Sequence, residues 1–115
     1  MRYEELIENN KLIAEFMGYT PNEYGVYQTP HGKYHLDHFS FHSSWDWLMD
    51  VVEKIESLGY EFFIVEDRVK IAHNTDHSTE TIIDFTLGGS KRDATYNAVV
   101  KFINEYNRTD DHRNI

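Results

Sequence analysis

The sequence predicts an α+β fold, in which an antiparallel sheet of three to five strands packs with three helices in an αβα sandwich-like arrangement. Three observations favour it. Three segments repeat apolar residues with the period of a helix. Short alternating segments separate the second of these from the third. The connections between those segments are short and polar, so the strands pair antiparallel. We expect one domain over residues 1–108 and a frayed polar tail over 109–115.

The first helix is predicted over Tyr3 to Met17, where the apolar residues form one stripe that Asn10 interrupts. Gly18 is expected to end this helix. The following residues are less regular. Tyr24 to Gln28 and Lys33 to Phe41 could be strands, joined by a turn at residues 29–32.

The second helix is expected to start at Ser43-Ser44-Trp45-Asp46, because a serine followed closely by an acid satisfies free N–H groups. It continues to Leu58, and Gly59 suits its end. Its apolar arc spans about 200°, whereas one sheet face covers only about 100°. A further helix, a loop or a second subunit must therefore cover its second side.

Three strands are predicted next, over Tyr60 to Val65, Arg68 to His73 and Thr81 to Leu87, with a tight turn at residues 66–67. A third helix then runs from Ser90 to about Tyr106. Its apolar arc is again about 200° wide. Ser90 and Asp93 resemble a capping box, with aspartate in place of the usual Glu or Gln.

Composition narrows the functional classes. The 115 residues include 20 acids and 11 bases, for a net charge of −9, so a nucleic-acid partner is disfavoured. There is no cysteine, which excludes disulfides, thiolate metal sites and a cysteine nucleophile. No apolar run reaches the roughly 18 residues of a membrane span, and acids occupy the start of the chain where a signal peptide would be basic. We expect a cytoplasmic protein without a membrane partner.

Three segments carry a resemblance. Residues 45–56 read WDWLMDVVEKIE, residues 10–18 read NKLIAEFMG, and residues 90–107 follow S-K-x-x-A-T-Y-N-A-V-V-x-F-I-x-x-Y-N. Together they resemble a family of small uncharacterised proteins found in phage and gut-bacterial genomes. The order of elements from Ser43 to Tyr106 also resembles the phage ABA sandwich domain. The resemblance implies a phage or mobile-element accessory protein, and it carries over no activity.

Four of the seven histidines, His31, His35, His38 and His42, lie within twelve residues. Imidazole binds transition metals, and the candidate ligands are His38 and His42 with Asp46. On a strand, His38 and His42 would share one face while His35 and Asp37 would share the other. One ion cannot easily gather all of them, so partly exposed polar residues are the favoured interpretation. We expect no cofactor.

Other candidates for binding are aromatic or lie at a helix start. Trp45 and Trp47 point about 200° apart on a helix, so one ring could anchor a partner while the other packs in the core. The favoured interpretation is that both rings are core. Tyr34 belongs to an aromatic N-terminal third that suits a binding surface or an irregular packing layer. The N–H groups at Ser90 and Lys91 could hold an anion, although a plain capped turn is the simpler interpretation.

The leading hypothesis is a non-enzymatic accessory protein that acts by binding and forms a homo-oligomer. A host-defence antagonist would capture a host protein or a small anionic nucleotide, and an acidic decoy imitating DNA is a second version. The charge of −9 is modest for a decoy, so the first version is favoured. The alternative class is a small metal-dependent hydrolase that uses the His31–His42 cluster.

Overall fold

The computed structural model describes residues 2–65, 68–74, 79–86 and 90–113. The elements in order are α1 (Tyr3–Met17), β1 (Tyr27–Thr29), β2 (Gly32–Tyr34), α2 (Trp45–Ser57), β3 (Tyr60–Val65), β4 (Arg68–Asn74), β5 (Thr79–Thr86) and α3 (Lys91–Arg113). A single 3₁₀ turn, Leu36–His38, lies between β2 and α2. The predicted α+β class with three helices and antiparallel strands is therefore confirmed.

The strands fall into two sheets. β1 and β2 form a two-stranded antiparallel hairpin in which Tyr27 lies opposite Tyr34. The second sheet has the order β3–β4–β5, and both of its pairings are antiparallel. The predicted turn at residues 66–67 lies outside the described residues, but the pairing of Val65 with Arg68 brings its two flanks together. Within the described ranges, the five strands are divided between these two sheets, and neither sheet holds more than three of them.

The three-stranded sheet forms an outer layer of the fold. α2 contacts β3, α3 contacts β4 and β5, and α1 packs on α3 and α2. Val69 and Ile71 are fully buried on the helix side of the sheet, whereas Phe63 on the opposite side is 39% exposed. The helices therefore gather on one face, which differs from the predicted αβα order. The opposite face also carries Lys70, a residue that prefers contact with water.

The wide apolar arcs of α2 and α3 are covered mainly by the chain itself. The buried side chains form one cluster that takes in both helices, α1, the 27–41 segment and the sheet. On α2, Trp47 is 7% exposed and Leu48 is fully buried, but Trp45 and Met49 each keep 38% of their surface exposed. The 27–41 segment and α1 thus supply most of the cover that the width of the apolar arc predicts, and the strip of α2 that carries Trp45 and Met49 stays exposed.

The ends of the helices follow local signals in part. Gly18 and Gly59 adopt positive φ angles of 80° and 96° at the ends of α1 and α2, as predicted. The Ser90 hydroxyl accepts a hydrogen bond from the Asp93 N–H at 3.0 Å, so this cap is confirmed. Ser44 precedes α2, but its hydroxyl makes no capping bond, and the predicted serine cap is wrong in that respect.

Two stretches differ from the predicted elements. α3 continues to Arg113, so the predicted frayed tail is helical over 109–113, and residues 114–115 lie outside the described residues. The strand predicted over 33–41 is wrong, because β2 ends at Tyr34 and the 3₁₀ turn follows. The Asn10 side chain gives the reason. Its Nδ2 donates to the Leu36 carbonyl oxygen at 2.7 Å, and the Phe39 N–H donates to the same oxygen at 3.3 Å, so both acceptor positions of this carbonyl are used within the turn.

This bond explains why Asn10 interrupts the apolar stripe of α1, and it provides a test. Asn10 is fully buried, so Asn10→Ala removes the shorter of the two hydrogen bonds to the Leu36 carbonyl and opens a small cavity. We expect the free energy of unfolding, measured with urea, to fall by about 1–2 kcal/mol. Lys11→Ala, at the exposed neighbouring position, is the control and should change it little. Equal stability of the two variants would contradict this role.

Candidate functional site

The four clustered histidines do not converge. His38 is exposed, and its Nε2 lies 3.9 Å from a carboxylate oxygen of Asp37. His42 is half-buried, and its ring packs edge-on at 6.4 Å from that of Tyr96 on α3. Within the described residues, no three His, Asp or Glu side chains are grouped closely enough to hold an ion. The predicted sharing of strand faces by these histidines is wrong, because residues 36–38 form a 3₁₀ turn.

Asp46, the third candidate metal ligand, is exposed in the first turn of α2. A carboxylate at this position interacts favourably with the positive end of the helix dipole, which is reason enough for an acid there. Lys91 is likewise exposed in the first turn of α3, beside the capping Ser90. Residues 88–89, which would complete an anion site at this helix start, lie outside the described residues, so that site stays a prediction.

Trp47 is the centre of an aromatic cluster. Its ring lies in the buried core and contacts four rings that come from residues 31–41. The His31 ring stacks on it at 4.6 Å and 18°, and the Phe41 ring meets it edge-on at 5.1 Å. Tyr34 and Phe39 complete the cluster at 5.3 and 5.5 Å. Of the two tryptophans, Trp47 is therefore a packing residue, and Trp45 is the one that reaches the surface.

His31 joins the β1–β2 turn to α2. Its Nε2 lies 2.7 Å from a carboxylate oxygen of Asp50, and both side chains are only partly exposed. Tyr34 donates its hydroxyl proton to the His31 carbonyl at 3.3 Å, which fixes the same turn from the other side. Burial, and then the charge of Asp50, raise the pKa of Tyr19. The contacts of His31 with Asp50 and Tyr34 were not predicted from the sequence, because these residues lie on different elements and follow no local spacing.

A second polar junction lies between α1 and α3. Tyr96 is 2% exposed, and burial raises its pKa. A hydrogen bond from Asn9 lowers the pKa of Tyr96, whereas the negative charge of Glu5 raises it. His42 flanks this tyrosine, and its buried Nδ1 has no hydrogen-bond partner among the described residues. Because its pKa is raised, this phenol keeps its proton to a higher pH than an exposed tyrosine does.

The surface has two shallow clefts that share Pro21, and the first of them borders α1. The first, which we call the tyrosine cleft, has a volume of about 410 Å³ and is lined by Tyr3, Ile7, Pro21, Gly25, Tyr27, His35, Leu36 and Asp37. The second, the lysine cleft, has a volume of about 370 Å³ and is lined by Thr20, Pro21, Asn22, Val26, Gln28 and Lys33. At the rim of the tyrosine cleft the Tyr3 hydroxyl lies 3.5 Å from an Asp37 carboxylate oxygen. Ile7, Tyr27 and Leu36 give the same cleft apolar walls.

Comparison of the chain with protein-family models, with curated proteins and with solved structures found no match to any of them. In the part of the chain that the structure describes, no helix combines the length and the apolar character that crossing a bilayer requires. The resemblance to phage and gut-bacterial proteins is therefore still an expectation that the comparisons do not address.

The His31–Asp50 bond can be tested as a pair. His31→Ala removes both the stacked ring over Trp47 and the bond to Asp50, and we expect a loss of about 1–2 kcal/mol in unfolding free energy. Asp50→Asn should cost less, because the amide can still accept a hydrogen bond. A double-mutant cycle with Asp50→Ala should give a coupling energy of about 0.5–1 kcal/mol. Strictly additive losses would show that the bond contributes nothing.

Tyr96 makes the stability depend on alkaline pH. Its folded-state pKa lies above the usual tyrosine value of 10.0, so the unfolded chain releases this proton first as the pH rises. The contribution is complete below pH 10 and is lost as the pH rises through the folded-state pKa. We expect Tyr96→Phe to reduce the fall in urea stability between neutral pH and pH 11. Tyr24→Phe, at a highly exposed position, should leave the fall unchanged; an equal effect of both variants would refute this assignment.

Proposed function

We propose that this chain is a small accessory protein of phage or mobile-element type that acts in the bacterial cytoplasm by binding a host protein, and that the tyrosine cleft is its contact site. The observation that carries the proposal is the cleft's combination of apolar walls with a few polar groups at one rim, which is the usual composition of a recognition site. The resemblance of the α2 and α3 sequences to phage proteins supplies the biological setting.

The chemistry of the cleft favours a protein segment as the ligand. Ile7, Tyr27 and Leu36 present apolar surface that suits a buried aliphatic or aromatic side chain. Asp37 stands at the rim, and the eight lining residues include no lysine or arginine. A partner that inserts an apolar side chain beside a lysine or arginine would therefore meet complementary charge. The overall charge of −9 acts in the same direction.

A small nucleotide is the less favoured ligand. Phosphate groups are bound in proteins by arginine, lysine and clustered backbone N–H groups. The tyrosine cleft offers an acid instead, and the lysine cleft offers Lys33 as the one basic side chain among its six lining residues. A single lysine gives little discrimination between a nucleotide and any other anion. Host-defence antagonism through protein capture is therefore the version that we propose.

Site-specific photocrosslinking tests the cleft. A benzophenone amino acid placed at Tyr3 in bacterial cells should yield one discrete protein adduct, because the ring lies at the cleft and is 62% exposed. The same probe at Tyr24, which is 75% exposed and does not line the cleft, is the matched control and should not yield it. Asp37→Lys should abolish the adduct at Tyr3 by reversing the charge at the rim.

The partner identified in this way allows a quantitative measurement. Replacing the cleft-wall residue Leu36 with Asn should weaken the partner's affinity by about tenfold or more, as expected for an apolar contact at the centre of an interface. An adduct that forms equally at Tyr3 and Tyr24, that survives Asp37→Lys, or that contains a nucleotide instead of a protein would overturn the proposal.

A further inference from the structure

β3 presents an open strand edge. It pairs with β4 along one side, and among the described residues no strand pairs with its other side. In an antiparallel sheet, every second residue of an edge strand directs its N–H and C=O groups outward. β3 reads YEFFIV, with one charge and no proline, and the irregularity in this sheet lies between β4 and β5. Natural edges are usually protected by lysine, proline or a bulge, and these protections are missing from β3 itself.

Exposed apolar side chains gather on the same part of the chain. Four of the six large exposed hydrophobic residues of the described chain lie between α2 and the end of β3, namely Trp45, Met49, Leu58 and Phe63. Trp45 and Met49 are one helical turn apart on α2, which packs on β3. Phe62 and Ile64 point to the core but are only partly buried. An open backbone edge is therefore flanked by apolar surface, as at many interfaces.

We propose that two copies of this chain associate through their β3 strands, which pair antiparallel across a two-fold axis to form a continuous six-stranded sheet. This goes beyond the tyrosine cleft, which contributes nothing to it. It also gives a defined surface to the homo-oligomer that the wide apolar arcs of the helices led us to expect. The occupant must be an extended chain, since only a strand can satisfy the outward N–H and C=O groups of β3.

The pairing of β3 with itself is favourable in either central register. A two-fold axis through an antiparallel pair lies perpendicular to the sheet, and directly opposed residues share a face. Either Phe62 lies opposite the partner's Phe62, with Glu61 opposite the partner's Phe63, or Phe63 lies opposite itself, with Phe62 opposite the partner's Ile64. In neither register does Glu61 lie opposite the partner's Glu61. Each register places aromatic or β-branched residues opposite one another, and such residues pair well across strands.

The same symmetry accounts for the open strip of α2. A perpendicular two-fold axis places the helical layers of both copies on one face of the joined sheet, so the two α2 helices flank the new strand pair. Each brings Trp45 and Met49 to an interface whose other components are apolar. A two-fold interface requires one patch that is complementary to itself. A mostly apolar strand with apolar side chains around it meets that requirement, because apolar surfaces pack against one another without matched charges.

Sedimentation equilibrium of the full chain tests the proposal. The expected mass at high micromolar concentration is twice the 13.7 kDa of one chain. Phe63→Glu places like charges opposite one another in both registers, twice per dimer when Phe62 lies on the axis and once when Phe63 does, and should weaken association by about tenfold or more. Tyr24→Glu makes the same charge change at an exposed position away from β3 and should leave the dimer intact. Circular dichroism confirms that both variants are folded.

Single cysteines report the register independently, because the native chain contains none. Under mild oxidation, either Phe62→Cys or Phe63→Cys should form a disulfide-linked dimer, according to which residue lies on the axis. Tyr24→Cys, distant from the axis, should not. A monomer at high micromolar concentration, a dimer unaffected by Phe63→Glu, or the failure of both β3 cysteines to crosslink would overturn the proposal. Variants in the tyrosine cleft should leave the mass unchanged, so the two proposals fail separately.

Discussion

The packing of Trp47 joins the β1–β2 hairpin to the helices and the three-stranded sheet, and the rest of the structure depends on it. Its ring projects from α2 and is enclosed by rings from the 31–41 segment. The β1–β2 hairpin has only three residues in each strand, and an isolated hairpin of that size is marginal in water. Apolar burial against Trp47, worth about 2–3 kcal/mol for a ring of this size, is what holds the hairpin in one place. The hairpin in turn supplies one wall of the tyrosine cleft through Tyr27.

Two buried polar contacts then fix the position of this segment along the core, because apolar packing alone is not directional. His31 bonds to Asp50 on α2 and Asn10 on α1 bonds to the Leu36 carbonyl, so the segment is tied to one helix at its start and to another at its middle. Leu36 and Asp37 are thereby placed opposite the first turns of α1, where Tyr3 and Ile7 form the other wall of the cleft. The shape of the cleft is thus a consequence of core contacts, and a ligand there would meet a largely preformed surface.

Sequence reasoning succeeded where the signal was local. Apolar periodicity and the glycines at 18 and 59 placed α1 and α2 within one or two residues, and Ser90 marked the start of α3. It failed where a distant residue decides. The strand expected over 33–41 stops at Tyr34, because Asn10, 26 residues earlier, bonds to the Leu36 carbonyl and helps to hold the 3₁₀ turn. The pairing of His31 with Asp50 has no local signature either, since the two are 19 residues apart. The layer order was missed because periodicity shows that an arc needs cover but not which element provides it.

The order of the strands explains why the uncovered surface lies where it does. α3 lies over β4 and β5 and is buried round most of its circumference by α1, α2 and the sheet. α2 lies over β3, and among the described residues no strand pairs with the outer side of β3. α1 already packs on the opposite flank of α2, where Lys54 extends over the Phe16 ring. A further strand outside β3 would pair with its backbone, and the element leading to that strand would cover the flank of α2. In the described sheet, which has β3 as its first strand, this edge lies beside exposed apolar side chains. The exposed apolar strip of α2 therefore accompanies the side of β3 that no described strand covers, and one additional strand with one additional helix would cover both.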